Sequence, residues 1–245
     1  MAKKLVASGL YNKLRILIWT GDIHNSDAEG IVCPIYPSTL PDFTGRTLGL
    51  LIINGGHEIY GELESELVHS DPIICTSPGS LLTTTIIHVS LPDPKDLEIA
   101  SPDCQRTIFS AIKNAMQYAN DIGCESLAIP SIVCDVEFDP EVSAMLHLEA
   151  FEQQAIDSLN EGNTSLQEIH FFMHPTMNEV GMFAKQFYKN SQKYQSSTYL
   201  GTIIQGEYGG YCPKCGGFSP PNDSYNCMSC GYFIGSGIWK DVTPV

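Results

Sequence analysis

The residues of this sequence with the clearest chemical pattern are four cysteines near its C-terminal end. They form two Cys-x-x-Cys pairs, each followed by a glycine, with eleven residues between the pairs. They are Cys212, Cys215, Cys227 and Cys230. A two-residue spacing lets a tight turn direct both sulfurs at one point, and the glycine permits the positive φ of such a turn. Four thiolates satisfy tetrahedral Zn²⁺ and leave no open position, so the sequence predicts one structural zinc ion.

Two redox motifs or disulfides are the alternative for these pairs. The surrounding unit, residues 206–245, is too short to bury a core of its own, so we expect the metal to supply folding energy. Its few charges do not form a basic patch. The unit resembles a zinc ribbon, and we expect it to make a protein contact or to brace the rest of the chain.

Composition limits the classes of partner. The 245 residues include 28 acids and 13 bases, a formal net charge of -15. Because nucleic-acid binding depends on Lys and Arg neutralising phosphates, this charge argues against a nucleic-acid partner. Nine cysteines, an odd number that includes a metal-like cluster, favour a reducing compartment, so we expect an intracellular protein of the cytoplasm or nucleus. The longest apolar stretches, such as 48–53, are too short to span a bilayer, and residues 1–17 are not a convincing signal peptide.

Strands and helices alternate before the cysteine unit. Apolar patterning predicts strands at 15–19, 30–35, 72–76, 85–91, 126–133 and 168–173. It predicts helices at 57–67, 101–122, 140–159 and about 180–187, and a loop rich in Pro and Gly at 37–49. Ser101 is a natural N-cap, with Pro102 at the first helical position. The alternation predicts an α/β domain with a largely parallel or mixed sheet at 1–188, a connector at 189–205 with one strand at 199–204, and the ribbon at 206–245.

Four short motifs follow one another within residues 14–188. They are Gly21-Asp22-Ile23, Asp27-Ala28-Glu29-Gly30-Ile31-Val32, Ile86-Ile87-His88-Val89 before Pro92, and Ala128-Ile129-Pro130-Ser131-Ile132. In this order and spacing they resemble a macrodomain, the family best known for binding ADP-ribose. The resemblance implies a three-layer fold, a mixed sheet with helices on both faces.

The three ligand loops of that family are altered in this sequence. The family's Asn-Ala-Ala-Asn run is replaced by Cys33-Pro34-Ile35-Tyr36, so the amide that orients the distal ribose is absent. Its Gly-Gly-Gly loop is reduced to a single glycine, Gly45. Its glycine-rich diphosphate loop becomes 133–140, which holds no glycine and three carboxylates. Side chains obstruct a backbone anion nest, and each carboxylate would repel a diphosphate by about 1–4 kcal/mol at ~4 Å. A bound divalent cation would reverse that effect.

The resemblance implies a set of candidate ligand-binding residues. They are Asp22, Ile23, Cys33, Gly45, Cys134, Asp135 and Phe138. In the family the aspartate equivalent to Asp22 accepts a hydrogen bond from the adenine amine; the alternative is a turn or helix-cap carboxylate. For Asp135, Glu137 and Asp139 there are two alternatives. They belong to a solvated loop, or they supply an acid/base pair for glycosidic hydrolysis.

Three functions remain open from the sequence. The favoured one is a scaffold that binds a protein partner and has weakened or lost ADP-ribose binding, with the ribbon as a second contact surface. The second is a module for ADP-ribose or a related nucleotide, and the third is a hydrolase of ADP-ribosyl compounds. No catalytic residue is identified, because neither Cys33 nor Cys134 has a base evident in the sequence, and His88 is expected to be a core histidine.

Overall fold

A mixed sheet of eight strands forms the centre of the protein. The structure, a computed structural model, describes residues 3–36, 46–67, 71–92, 101–132, 140–161 and 164–173, and the short strands at 199–200, 210–211 and 218–219. The sheet comprises β1 (Lys4–Tyr11), β2 (Leu14–Thr20), β3 (Gly30–Ile35), β4 (Ile73–Thr76), β5 (Thr85–Ser90), β6 (Ser126–Pro130), β7 (Glu168–Met173) and β8 (Tyr199–Leu200). Their order is β4-β5-β3-β6-β7-β2-β1-β8. Strands β5, β3, β6, β7 and β2 are parallel, while β4, β1 and β8 pair antiparallel with their neighbours.

Helices cover both faces of this sheet. They are α1 (Arg46–Gly55), α2 (Glu58–Glu66), α3 (Pro102–Asp121) and α4 (Pro140–Glu161). One apolar core joins α3 and α4 to the sheet and includes Met116 and Phe151. The other joins α1 and α2 to the opposite face and includes Leu51 and Ile59. The predicted arrangement of helices on both faces of a mixed sheet is therefore confirmed.

Most predicted elements are present at nearly the predicted bounds. The helices predicted at 57–67, 101–122 and 140–159 correspond to α2, α3 and α4. The Ser101 hydroxyl accepts the N–H of Cys104 at 3.2 Å, which confirms the predicted N-cap of α3. The predicted helix near 180–187 and the domain boundaries at 188 and 206 lie outside the described residues. Of the strand predicted at 199–204, the structure describes 199–200 as β8.

Two sequence predictions are wrong in detail, and two elements, α1 and β1, were not predicted. Residues 46–49 are the first turn of α1 and not part of a loop, because Leu48, Leu51 and Ile52 form a buried stripe at helical spacing. The strand predicted at 126–133 ends at Pro130. Strand β1 was not predicted; it forms a hairpin with β2 through a two-residue turn in which Asn12 adopts a φ of 55°. Among the described residues, no helix is long and apolar enough to cross a membrane.

Candidate functional site

A crevice lies where β3 and β6 separate. The chain passes from β3 to β5 on one side of the sheet and from β6 to β7 on the other, so the strand order reverses between β3 and β6. In open α/β sheets, ligands bind outside the carboxyl ends of the strands at such a point. The two strands pair at their amino ends only, where Gly30 lies opposite Leu127 and Ile31 opposite Ala128. Their carboxyl ends are unpaired with each other, which leaves a gap at the edge where ligand is expected.

Two prolines explain why the pairing stops. The N–H of Leu91 donates to the oxygen of the last β3 residue at 2.9 Å, so even-numbered residues of β3 direct their backbone groups toward β6. The N–H of Ser131 donates to a β7 oxygen at 2.9 Å, so even-numbered residues of β6 face β3. Pro34 and Pro130 therefore face the opposing strand, and neither nitrogen carries a hydrogen. The next two hydrogen bonds of the ladder cannot form, and the sheet opens there.

The segment after β2 leads toward this crevice. It forms a short 3-10 helix, Ile23–Asn25, which contacts both β6 and α1. Ile23 is buried in the same apolar cluster as Ala128 of β6 and Leu48 of α1. The predicted ligand residue Ile23 is thus an anchor that holds the segment against the sheet.

Asp22 stands at the start of that helix. Its backbone is extended (φ −85°, ψ 127°), and its side chain makes no hydrogen bond that caps the helix. Its carbonyl oxygen accepts the backbone N–H of Asn25 at 3.1 Å. The Asp22 side chain therefore does not cap this helix, and the Asn25 side-chain amide also donates to the Asp22 carbonyl oxygen, at 3.4 Å.

Cys33 is placed near the crevice but is not exposed to it. Its side chain is fully buried, and its thiol lies 3.8 Å from the oxygen of Pro34. Register places His88 of β5 directly opposite Cys33. Burial raises the pKa of the Cys33 thiol above its usual range and lowers the pKa of His88 to about 4. Both groups are neutral near pH 7, so this pair does not provide an activated nucleophile.

His147 of α4 is a site-adjacent residue that the sequence did not indicate. Its Nε2 accepts the N–H of Ile132 at 3.3 Å, and its Nδ1 hydrogen is donated to the oxygen of Ser143 at 2.8 Å. Its ring lies 4.8 Å from that of Phe171, and burial lowers its pKa to about 4. Because residue 133 directly follows Ile132 in the chain, His147 holds the backbone at the point where residues 133–139 begin.

The remaining predicted site residues lie outside the described part of the chain. They are Gly45, Cys134, Asp135, Phe138, Cys212, Cys215, Cys227 and Cys230. The backbone around the first cysteine pair is partly described: β9 (Gly210–Tyr211) and β10 (Phe218–Ser219) pair as an antiparallel hairpin that encloses 212–217. Within the described ranges, no group of three or more His, Cys, Asp or Glu could hold a metal ion.

Comparison with known proteins identifies relatives of the fold. No protein-family model matches the chain, and no curated protein matches it. The Oceanobacillus iheyensis macrodomain solved with ADP superposes with a TM-score of 0.66 at 17% identity, covering 79% of this chain and all of that one. A mutant of the same macrodomain with ADPR gives 0.63 at 16% identity, covering 78% of this chain and all of that one. The macro domain of ganglioside induced differentiation associated protein 2 gives 0.58 at 17% identity, covering 72% of this chain and 84% of that one. At these identities the likeness shows the fold alone: this chain has the fold of a macrodomain.

Proposed function

We propose that this protein is a binding and scaffold module built on a macrodomain fold, in which the usual ADP-ribose binding is weakened or lost. The observation that carries this proposal is the end of β3. Cys33, Pro34 and Ile35 are buried and carry no side-chain amide, so this edge of the crevice lacks the amide that the family's asparagine supplies. A ribose hydroxyl that loses its water here gains no partner from these three side chains, which costs about 1–3 kcal/mol.

A nucleotide-binding module is the second candidate, and two observations favour it. Solved neighbours of this fold contain ADP or ADPR. Strands β3 and β6 also stop pairing toward their carboxyl ends, and Asp22 follows the carboxyl end of β2. These features fit a ligand that is bound through its adenine and whose ribose makes few specific contacts.

A hydrolase is less well supported by the described residues. The Cys33–His88 pair is neutral and fully buried, so it offers neither a thiolate nor an accessible base. His147 uses both of its ring nitrogens in hydrogen bonds. The carboxylates of residues 133–139 remain the candidates that the sequence offers for such chemistry.

The C-terminal unit is proposed to be a zinc ribbon that provides a second interaction surface. Its support is the hairpin of β9 and β10, because β9 ends at the residue before Cys212 and β10 begins three residues after Cys215. A four-thiolate zinc site requires the thiolates of each pair to lie close together, and antiparallel pairing of the strands that flank the first pair fits that requirement.

Thermal unfolding with nucleotide distinguishes the three functions. Zinc-loaded protein is heated with and without about 1 mM ADP-ribose, and the nucleotide is then analysed for products. A module with a Kd of about 10 μM would gain about 2.7 kcal/mol, a rise in Tm of about 5 °C or more. The proposal predicts a change below about 1 °C with intact nucleotide. A rise that is lost in Asp22→Ala but kept in the control Asp71→Ala would establish the module, and consumption of ADP-ribose would establish the enzyme.

A further inference from the structure

The two edges of the eight-stranded sheet differ. At one edge, β8 pairs with β1 through Ser8 opposite Leu200 and Gly9 opposite Tyr199. At the other edge, β4 pairs with β5 and with no second strand of the described chain. An unpaired edge presents backbone donors and acceptors that can template another strand.

The hydrogen bonds between β4 and β5 identify which groups of the edge are unpaired. The N–H of Ser90 donates to the oxygen of Pro72 at 3.0 Å, so even-numbered residues of β4 face β5. The backbone N–H and C=O groups of Ile73 and Cys75 therefore point away from the sheet. Two residues at a spacing of two can form up to four hydrogen bonds with an added strand.

A groove of about 400 Å³ lies beside this edge, between the sheet and α3. Its floor includes Ile73, Val89 and Ala111. Its wall is a polar stripe at helical spacing on α3, Thr107, Ser110 and Asn114. A groove between an edge strand and a helix is suited to an extended peptide, because the backbone pairs with the strand while alternate side chains enter the groove.

We propose that β4 and α3 form a docking site for an extended, basic peptide segment of a partner protein, which adds a strand to the sheet. An extended backbone is the ligand that matches the alternating groups of Ile73 and Cys75. The net charge of -15 attracts a basic segment and repels a second copy of the chain. Within the groove lining, Asp103 and Arg106 form an ion pair, so the lining carries no net charge that opposes such a segment.

The test uses the full, zinc-loaded chain and a fluorescein-labelled peptide in which valine alternates with lysine or threonine. A matched peptide carries glutamate in place of each lysine. We expect the basic peptide to bind at least about tenfold more tightly at low salt, with the difference shrinking as salt is added. Amide exchange of Ile73 and Cys75 should slow on binding, whereas Ile74 and Thr76, which face β5, should stay protected throughout.

Two pairs of variants distinguish the contribution of the groove to peptide binding from the contribution of the strand edge. Ser110→Trp fills the groove and Ser110→Ala leaves it open. Ile73→Pro removes one outward N–H without touching the β4–β5 ladder, and Ile73→Val keeps it. We expect Ser110→Trp and Ile73→Pro to weaken binding at least about tenfold, a loss of about 1.4 kcal/mol, and the controls to stay within about twofold.

Equal affinity for the two peptides would overturn the proposal, and so would unchanged affinity in Ser110→Trp and Ile73→Pro. Unchanged amide exchange at Ile73 and Cys75 when peptide is bound would also overturn it. Protection of those two amides in peptide-free protein that sediments as a dimer would show that a second copy of the chain occupies the edge instead. The site extends the proposed scaffold role and rests on it. All measurements are made without nucleotide, so this test and that of ADP-ribose binding can fail separately.

Discussion

Two buried histidines are expected to make this fold sensitive to mild acid. His88 and His147 are both 0% exposed, and burial lowers the pKa of each to about 4. In the unfolded chain the pKa of histidine is about 6.5. Below that pH the unfolded chain binds protons that the folded protein does not, so stability falls as the pH drops from about 6.5 to about 4. Above 6.5 both states hold neutral histidine and the effect is absent.

The size of the effect follows from these pKa values. Between pH 7.5 and pH 5, each histidine lowers the free energy of unfolding by about 2 kcal/mol, and the pair lowers it by about 4 kcal/mol. That loss is a large part of the free energy of unfolding of a typical domain, which is about 5–15 kcal/mol. Partial burial also lowers the pKa of His24, so this residue too contributes a loss of stability as the pH falls. Carboxylates such as Glu62 and Glu168, whose pKa values are lowered by Ser77 and His170, lose their stabilisation mainly below this window.

Urea unfolding at pH 7.5, 6.5 and 5 measures this loss. His147→Gln and His88→Gln should each be less stable than the native chain at pH 7.5. Each should nevertheless lose about 2 kcal/mol less between pH 7.5 and 5, because glutamine does not titrate. The exposed His57→Gln is the control and should lose as much as the native chain. If His147→Gln and the native chain lost the same free energy, His147 would not be held neutral by burial, and the reasoning would be refuted.

Three further predictions concern a glycine in a turn, a glycine in a helix and the metal. Gly79 has a φ of +57°, and a Cβ there would collide with the backbone oxygen of Gly55, so Gly79→Ala should cost at least about 2 kcal/mol by urea unfolding. Gly61 lies in α2 with open space around it, so Gly61→Ala should raise the free energy of unfolding by about 1 kcal/mol. A fall in the free energy of unfolding would contradict a helical position for Gly61. Elemental analysis should find about one zinc ion per chain. The zinc content should fall to near zero in Cys227→Ser and stay unchanged in the control Cys104→Ala. Retention of zinc by Cys227→Ser would contradict a four-cysteine site.

Local sequence signals predicted much of the fold. The α3 helix was predictable because Ser101, Pro102 and an apolar stripe are all encoded within one segment. Strand β1 was missed because its pattern is weak, although Asn12 between two apolar runs is a hairpin signal. Helix α1 was missed because its apolar stripe directly follows a segment rich in Pro and Gly.

The geometry of the candidate site depends on residues far apart in the chain. Pro34 and Pro130 are each visible in the sequence, but the register that aligns the two strands joins segments almost a hundred residues apart. The same limit applies to His147, whose partner Ile132 lies fifteen residues away on another element. The family resemblance placed Asp22 and Cys33 near the crevice, and the structure shows that the Cys33 side chain is buried there.

Isothermal titration of zinc-loaded protein with ADP-ribose, with and without magnesium, tests the central claim most directly. The account predicts no measurable heat at about 1 mM ligand in the absence of magnesium, which corresponds to a free energy of binding weaker than about −4 kcal/mol. Binding only with magnesium would assign residues 133–139 to a metal-assisted phosphate site. Micromolar binding in both conditions, lost in Asp22→Ala, would contradict the account and make the protein a nucleotide-binding module.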